Sequence, residues 1–523
     1  MEKSQEKQDN RPLVEDSAET SEHIDVSRLD QKIRQLAQES PPFYRNPNLL
    51  RLYLLLVCGC LGAAVTLGYE TALINSLQAT PAWDRYFGRP RGVLLGCISA
   101  ILAFGSCLAT PFISYVGDRW GRKWGATVGC GTMLVGGIIQ AASVNLPMFM
   151  ISRFIVGFGL VFANTYAPIL IGELAHPKDR QVITSLYQTS WYVGAVLAAW
   201  IGFGMYSIPN DWAWRVPCLL QALPALVAII GVQLLPESPR FLIAKSRSDE
   251  ALAIIRKYHG NDLPSSDLFV TLSHREMEAV IRAETENETP WSALWSTPGN
   301  RRRIFIIIML GLFSQWSGNG LVSYYLARVL ETVGITRARE QNIINGSLQI
   351  FNWMTAVASA FLTAYLRRRT QFLLFVGGML AVFATQTLCA GLFNTRGDRS
   401  AGTAVIPMLF LFYLSYNLAF NALLYSYPVE VLPYPIRAKG FSVLMFFGKA
   451  AIFVNALVNP IGLAGIGWRY YLVYVGWLVL ECLGVWAFFV ETKGPSLEAI
   501  AERFDGKKNI DHETGVEKEK DGL

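Results

Sequence analysis

Ten stretches of this 523-residue chain run for 18 residues or more without Asp, Glu, Lys or Arg: 52–69, 92–117, 124–152, 154–172, 181–210, 216–236, 304–327, 341–366, 370–395 and 400–429. Two further apolar stretches, 440–468 and 470–490, are each broken once, by Lys449 and by Glu481. A bilayer core of ~30 Å takes about 20 apolar residues at ~1.5 Å of rise each. The pattern therefore predicts an all-α integral membrane protein with twelve transmembrane helices. It excludes a soluble enzyme, a disordered scaffold and a nucleic-acid-binding module.

The polar connections give orientation. Lys and Arg number 20 in the even-numbered connections and 8 in the odd-numbered ones. Cytoplasmic loops carry the excess of basic residues, so the even loops and both tails are expected in the cytoplasm. The long connection 237–303 divides the spans six and six. Within it, Ser248-Asp249-Glu250 precedes a segment where apolar residues recur at helical spacing, which predicts short amphipathic helices on the inner membrane surface. The resulting plan is a cytoplasmic tail over 1–48, a six-helix bundle over 49–236, the loop 237–303, a second bundle over 304–490 and a tail over 491–523. The first tail and residues 505–523 of the second are charged and poor in apolar residues, so they are expected to be disordered.

The halves echo each other. Glu173-Leu-Ala-His-Pro-Lys-Asp-Arg180 has the same Glu-to-Arg spacing as Glu430-Val-Leu-Pro-Tyr-Pro-Ile-Arg437. Fainter echoes link 118–123 to 364–369 and 236–240 to 490–494 at nearly the same offset. A duplicated six-helix unit with a site between its copies is a transporter design that permits rocking.

Composition adds less. The formal net charge of +6 is what basic cytoplasmic loops produce, and no nucleic-acid partner is implied. All eight Cys lie in apolar stretches without metal spacing and read as packing residues. The five His lie outside the spans, which leaves no metal cluster and no catalytic triad inside them. No P-loop, HExxH or GxSxG is present, so no enzyme and no bound cofactor are expected. The first 48 residues lack an apolar core, so no cleavable signal peptide is expected.

Seven motifs, in order, carry a resemblance. They are Gly117-Asp-Arg-Trp-Gly-Arg-Lys123, Arg153-Phe with Gly157 and Gly159, Glu173 to Arg180, and Pro236-Glu-Ser-Pro-Arg240. After the central loop come Gln315-Trp-Ser-Gly318 with Tyr324-Tyr325, Glu430 to Arg437, and Glu491-Thr-Lys-Gly494. Across 49–505 the chain resembles the sugar porter family of the major facilitator superfamily. Gly68-Tyr69-Glu70 and Val458-Asn459-Pro460 look most similar to its fungal hexose and lactose permease branch. The resemblance implies uptake of a sugar, hexose or disaccharide, by alternating access. It also implies proton symport, with the proton gradient as the energy source.

A neutral polyhydroxylated solute needs side chains that both donate and accept hydrogen bonds, and flat apolar faces for its C–H surfaces. Amides lie deep in the spans at Gln188, Gln315, Asn319, Asn352, Asn417 and Asn421. The family's sugar-binding amides match Gln188, Gln315 and Asn352. Trp191, Trp316 and Tyr425 are candidates for the aromatic wall. The chain departs from the family at Ser314, where a second Gln is usual, at Tyr425, where a Trp is usual, and at Asn319, one place early. Asn417 and Asn421 read more simply as ties between helices.

Charges inside a membrane are costly and commonly functional. By helical rise, Glu70 in span 1 stands ~27 Å and Arg153 in span 4 ~30 Å from the inner face, so an ion pair is geometrically open to them. The resemblance places the proton-coupling carboxylate on Glu70, where Asp is usual, and its partner on Arg153. Lys449 in span 11 has two readings: a buried pair with Glu481, or a cavity charge that attracts an acidic substrate.

At the inner ends, Asp118 precedes Arg119, Arg122 and Lys123, and Glu173/Arg180, Glu237/Arg240 and Glu430/Arg437 repeat acid with base. These read as a gate whose networks join the two halves in the outward-facing state. Tyr324 and Tyr325 resemble the family's outer gate. Gly157 and Gly159 are expected to allow close helix packing. The sequence thus predicts a monomeric multi-pass carrier of the plasma membrane, importing a sugar with protons. Two alternatives stay open: a carrier or exporter of an organic acid or secondary metabolite, and a non-transporting sugar receptor.

Overall fold

Four of the long apolar runs begin at a side chain that closes a helix N-terminus. Asn46 accepts from the backbone N–H groups of Asn48 and Leu49 while Pro47 takes the first helical position. Asn145, Thr297 and Asp398 cap their helices in the same way. The computed structural model describes residues 26–260, 266–286, 290–363, 365–493 and 503–505. In it the runs become spans 1–6, Pro47–Gln78, Gly92–Trp120, Arg122–Ala141, Leu146–Leu174, Arg180–Met205 and Trp212–Leu234. Spans 7–12 follow as Pro298–Glu331, Ala338–Leu362, Arg368–Arg396, Arg399–Val431, Tyr434–Ile466 and Tyr470–Phe488.

Among the described residues, eight helical stretches are long and apolar enough to cross a membrane, and one of them, Pro435–Phe488, holds most of spans 11 and 12. Spans 3, 5 and 8 stand outside that set. They are richer in glycine, hydroxyl and amide residues, which suit helix contacts more than lipid. Below, the inner face is the one with the Lys- and Arg-rich connections.

Small residues set how closely the helices cross. A Cβ on Gly157 of span 4 would stand 2.0 Å from the Leu102 carbonyl oxygen of span 2, so only glycine fits there. The two halves meet along three helix pairs: span 2 against span 11, span 5 against span 8, and span 1 against the outer part of span 7. At the outer end a single apolar core runs through both halves, from Leu73, Ile74, Leu77 and Ile98 to Leu321, Val322, Tyr325 and Leu326. The inner apolar cluster is built from the first half, with Tyr258 of the central loop.

The central loop forms Pro239–Ala244, Ser248–His259, Ser266–Glu286 and Ala293–Ser296. The expectation of a disordered tail over 1–48 needs correction, because Val26–Glu39 is a helix and the chain continues ordered into span 1. Ile33 and Ala37 of that helix are buried with Ile255, Phe269, Val270 and Met277. The apolar residues are few but fall on one helical face, and a partner groove is enough to order them. Residues 1–25 and 506–523, also expected to be disordered, lie outside the described residues. Lys178, in the turn after span 4, donates to the Ser40 carbonyl at 2.8 Å and fastens the tail helix to the bundle.

Candidate functional site

Span 7 is the least regular of the helices, and the cavity forms beside it. Gly318 adopts φ +105, a left-handed conformation that interrupts the helix between Trp316 and Asn319. A second break falls at Tyr325, whose φ −135 and ψ 27 are not helical. A broken helix leaves backbone groups without their i→i−4 partners, and in a membrane these must be satisfied by neighbours. Asn75 of span 1 supplies both kinds of bond. Its amide donates to the Ser323 carbonyl and its oxygen accepts from the Leu326 N–H at 3.1 Å. Gln78 donates to the Tyr324 carbonyl at 2.7 Å.

Further out, Arg328 of span 7 is 3.1 Å from Asp84 of the first half and 2.6 Å from Glu331. Arg91 pairs with Asp84 at 2.8 Å. These contacts join the halves across the outer end and close it. Tyr324 and Tyr325 divide their work there. Tyr324 lines the cavity, whereas Tyr325 is buried and donates to the Ala456 carbonyl of span 11 at 2.5 Å.

Below Tyr324 lies a cavity of about 290 Å³ between the halves. Gln188 and Trp191 of span 5, Gln315 and Asn319 of span 7, Asn352 of span 8 and Tyr425 of span 10 line it. Tyr425 stands six residues before Val431, the end of span 10, so the lining reaches toward the inner face. The structure thus shows a site closed outside and extended inward. Gln188 makes no hydrogen bond with any described residue and its side chain is exposed to the cavity. The Gln315 amide bonds only weakly, to Ser314 Oγ at 3.3 Å, while its backbone carbonyl accepts from Asn455.

One expected wall residue does not reach the site. Trp316 follows Gln315 by one residue, about 100° around the helix. Its ring therefore turns to the back of span 7, where Nε1 donates to the Ala451 carbonyl at 3.1 Å and the ring packs on Trp477. Other lining residues were not singled out from the sequence. Tyr192 lies four residues after Gln188, and Gln349 three before Asn352, so the same helix faces carry them. Tyr413, Tyr416, Asn417 and Asn421 continue as one stripe of span 10. Asn417 donates to Thr355 Oγ1 at 2.7 Å and Asn421 to the Tyr192 hydroxyl at 2.9 Å, so both also tie helices together.

The two deep charges of the first half meet. Arg153 donates to Glu70 Oε1 at 3.0 Å and to the Ile98 carbonyl at 3.0 Å, and both side chains are almost fully buried. Glu70 Oε2 has no hydrogen-bond partner among the described residues. Thr71, the residue after Glu70 in span 1, lines the cavity. The pairing of Lys449 with Glu481 does not occur. Lys449 lines the cavity, while Glu481 accepts from Trp477 Nε1 at 2.7 Å on the far side of span 12.

With the site extended inward, the inner acids and bases pair within each half; bridging of the halves was the expectation for the outward-facing state. Arg122 approaches Glu173 at 3.7 Å within the first half. Glu173 also accepts from Ser238, and Glu237 accepts from the Lys123 N–H at 3.2 Å. Burial raises the Glu237 carboxyl above its usual range. In the second half Glu430 pairs at 2.9 Å with Arg368, which the sequence reading passed over, while Arg437 donates to the Leu432 carbonyl. Asp118 and Arg119 are exposed, and Arg119 bonds the Tyr115 hydroxyl. Arg240 is half-buried and has no ion pair with Glu237. The Arg180 guanidinium bears on His176 and His259.

A family model described as "Sugar (and other) transporter" matches residues 55–504. The chain belongs to this transporter family. Among curated relatives, the MFS-type transporter criB of Aspergillus cristatus is 26% identical over 90% of this chain and 97% of its own length. The high-affinity glucose transporter of Kluyveromyces lactis is 25% identical over 90% and 88%. An inward open structure of the xylose transporter XylE from E. coli superposes with a TM-score of 0.71 at 21% identity, over 87% of this chain and all of that one. The two-bundle transporter fold, read above from the spans, is the fold these proteins share.

Proposed function

We propose that this member of the sugar transporter family carries a sugar across the plasma membrane by alternating access, in symport with protons. The supporting observation is the cavity itself. It lies between the two halves, is lined by amides and tyrosines of which Gln188, Tyr324 and Tyr425 make no side-chain hydrogen bond among the described residues, and is closed at one end by contacts that cross between the halves. Gln188, Gln315, Asn319 and Asn352 supply donors and acceptors for hydroxyls, and Trp191 and Tyr425 supply apolar faces. A volume of about 290 Å³ lies at the low end of small-molecule sites, which favours a monosaccharide over a disaccharide.

The proton enters through Glu70. The carboxylate gives up its pair with Arg153 when it takes up the proton, as spans 1 and 4 shift against each other during the cycle. The unpartnered Oε2 is where that proton sits. Each cycle then couples loss of the ion pair to proton uptake. The inner face is cytoplasmic, with both chain ends on it, and the chain works as a monomer that transports rather than catalyses. Relatives named for glucose transport support the choice of sugar.

Radiolabelled glucose uptake in a host lacking its own transporters tests this, with and without a protonophore. Uptake that the protonophore abolishes supports symport. Equal uptake in both conditions rules the coupling out, and no uptake of glucose, xylose or a sugar acid rules out the reading as a whole.

A further inference from the structure

Charged side chains inside a membrane pair with one another or face a watery cavity. In this protein Glu70, Arg153 and Lys449 divide along that line, while Glu481 accepts from Trp477 instead. Glu70 and Arg153 neutralise each other. Lys449 does not share in this. It lines the central cavity, and no carboxylate lies within ion-pair distance of its Nζ among the described residues. Its titratable neighbour is the Cys107 thiol of span 2.

The rest of the lining sharpens the contrast. It contains amides, hydroxyls, phenols, one indole and aliphatic groups, and Lys449 is the single charged residue in it. A cation in a partly desolvated cavity gains from any anion that enters, and the gain exceeds that for the same contact in bulk water. A hydroxyl would accept one hydrogen bond from Nζ, whereas a carboxylate would accept a charge-assisted one, roughly twice as strong. Gln188, which has no side-chain hydrogen bond among the described residues, and the remaining donors and acceptors of Gln315 and Asn319 can hold hydroxyl groups of the same molecule.

We infer that the favoured substrate is a polyhydroxylated monocarboxylate of monosaccharide size, a sugar acid, whose carboxylate is held by Lys449. This rests on the transport reading above and narrows it. Charge complementarity fixes which end of the substrate faces spans 2 and 11, so Lys449 orients as well as selects.

The test is uptake of radiolabelled glucuronate and glucose by the full-length chain in proteoliposomes, with Lys449→Gln and Lys449→Arg beside the wild type. Residual protein fold is checked by the elution profile in detergent. The expected result is a preference of about tenfold for glucuronate in the wild type. Lys449→Gln loses that preference, its glucuronate-to-glucose uptake ratio falling to about one, and Lys449→Arg keeps it. Glucose uptake with glucuronate excluded overturns this inference and leaves sugar transport standing. Glucuronate uptake that Lys449→Gln leaves unchanged relative to glucose also overturns it. Transport of neither compound overturns both readings. If Lys449→Gln alone fails to fold, the wild-type preference and its retention in Lys449→Arg decide.

Discussion

Arg153 of span 4 places its guanidinium 3.0 Å from the Glu70 carboxylate of span 1, with both side chains sealed from solvent. Removing one partner of such a pair strands the other, at a cost of about 3–5 kcal/mol. Glu70→Gln keeps the shape and the hydrogen bond from Arg153 but cannot take up a proton. It is expected to retain exchange of substrate down a gradient while losing uphill accumulation, with the inside-to-outside ratio falling to parity. Counterflow and accumulation assays across pH 5–8 check this; undiminished accumulation removes Glu70 from the coupling.

The outer seal should be separable from the site. Arg328 is 3.1 Å from Asp84, and these two side chains belong to opposite halves. Asp84→Asn weakens that bond and the one to Arg91 without touching the cavity. A shift of about 1–3 kcal/mol toward the outward-open form is expected. A cysteine at Thr71, in a background without reactive native cysteines, should then react faster with a membrane-impermeant maleimide added outside. Equal labelling in both backgrounds would show that the seal lies elsewhere.

Gln188 and Asn417 should behave oppositely although both line the cavity. Gln188 has no bond within the described chain, so Gln188→Ala is expected to raise KM about fivefold and leave thermal stability unchanged. Asn417 bonds to Thr355 and accepts from Tyr192 at 3.3 Å. Asn417→Ala should therefore lower the melting temperature measured in detergent. A stable Asn417→Ala with raised KM would reverse the assignment.

The cap that the central-loop helices form on the inner face carries its own pH dependence. His176 stacks on Phe269 at 5.1 Å and meets His259 edge-on at 5.3 Å. Burial, then His259, Lys178 and Arg180, lower His176 from 6.5 to about 3. Burial and Arg180 lower His259 to about 4, against the opposing bond to the Leu174 carbonyl. An undocked cap binds protons below pH 6.5 that the docked cap refuses. Docking is thus fully stable above 6.5 and weakens as pH falls from there toward about 3. Hydrogen exchange over Ser248–His259 and Ser266–Glu286 should quicken at about pH 5.5 relative to about 7.5 beyond the intrinsic rate. Identical protection at both would exclude the histidines.

Much of this was legible in the sequence because a bilayer punishes charge so strongly that the spans declare themselves. The depth of Glu70 and Arg153 could be counted from helical rise, and they do meet. Rotation around a helix was harder to read than depth. Trp316 was assigned by its neighbour Gln315 and turns away from it. Tyr192 and Gln349 could have been found by stepping four and three residues from Gln188 and Asn352. Partner choice among the inner charges was not legible, since Arg368 and Arg437 compete for Glu430 and only packing decides between them. The tail helix escaped because its apolar face is short and makes sense only against Phe269 and Ile255.

The two interruptions of span 7 set the scale of the moving part. Between Gly318 and Tyr325 lies a little less than two helical turns, free at each end to pivot. Admitting a molecule from outside therefore calls for this peg of chain to tilt as the halves rock apart, and Asn75 and Gln78 are the fingers that release it.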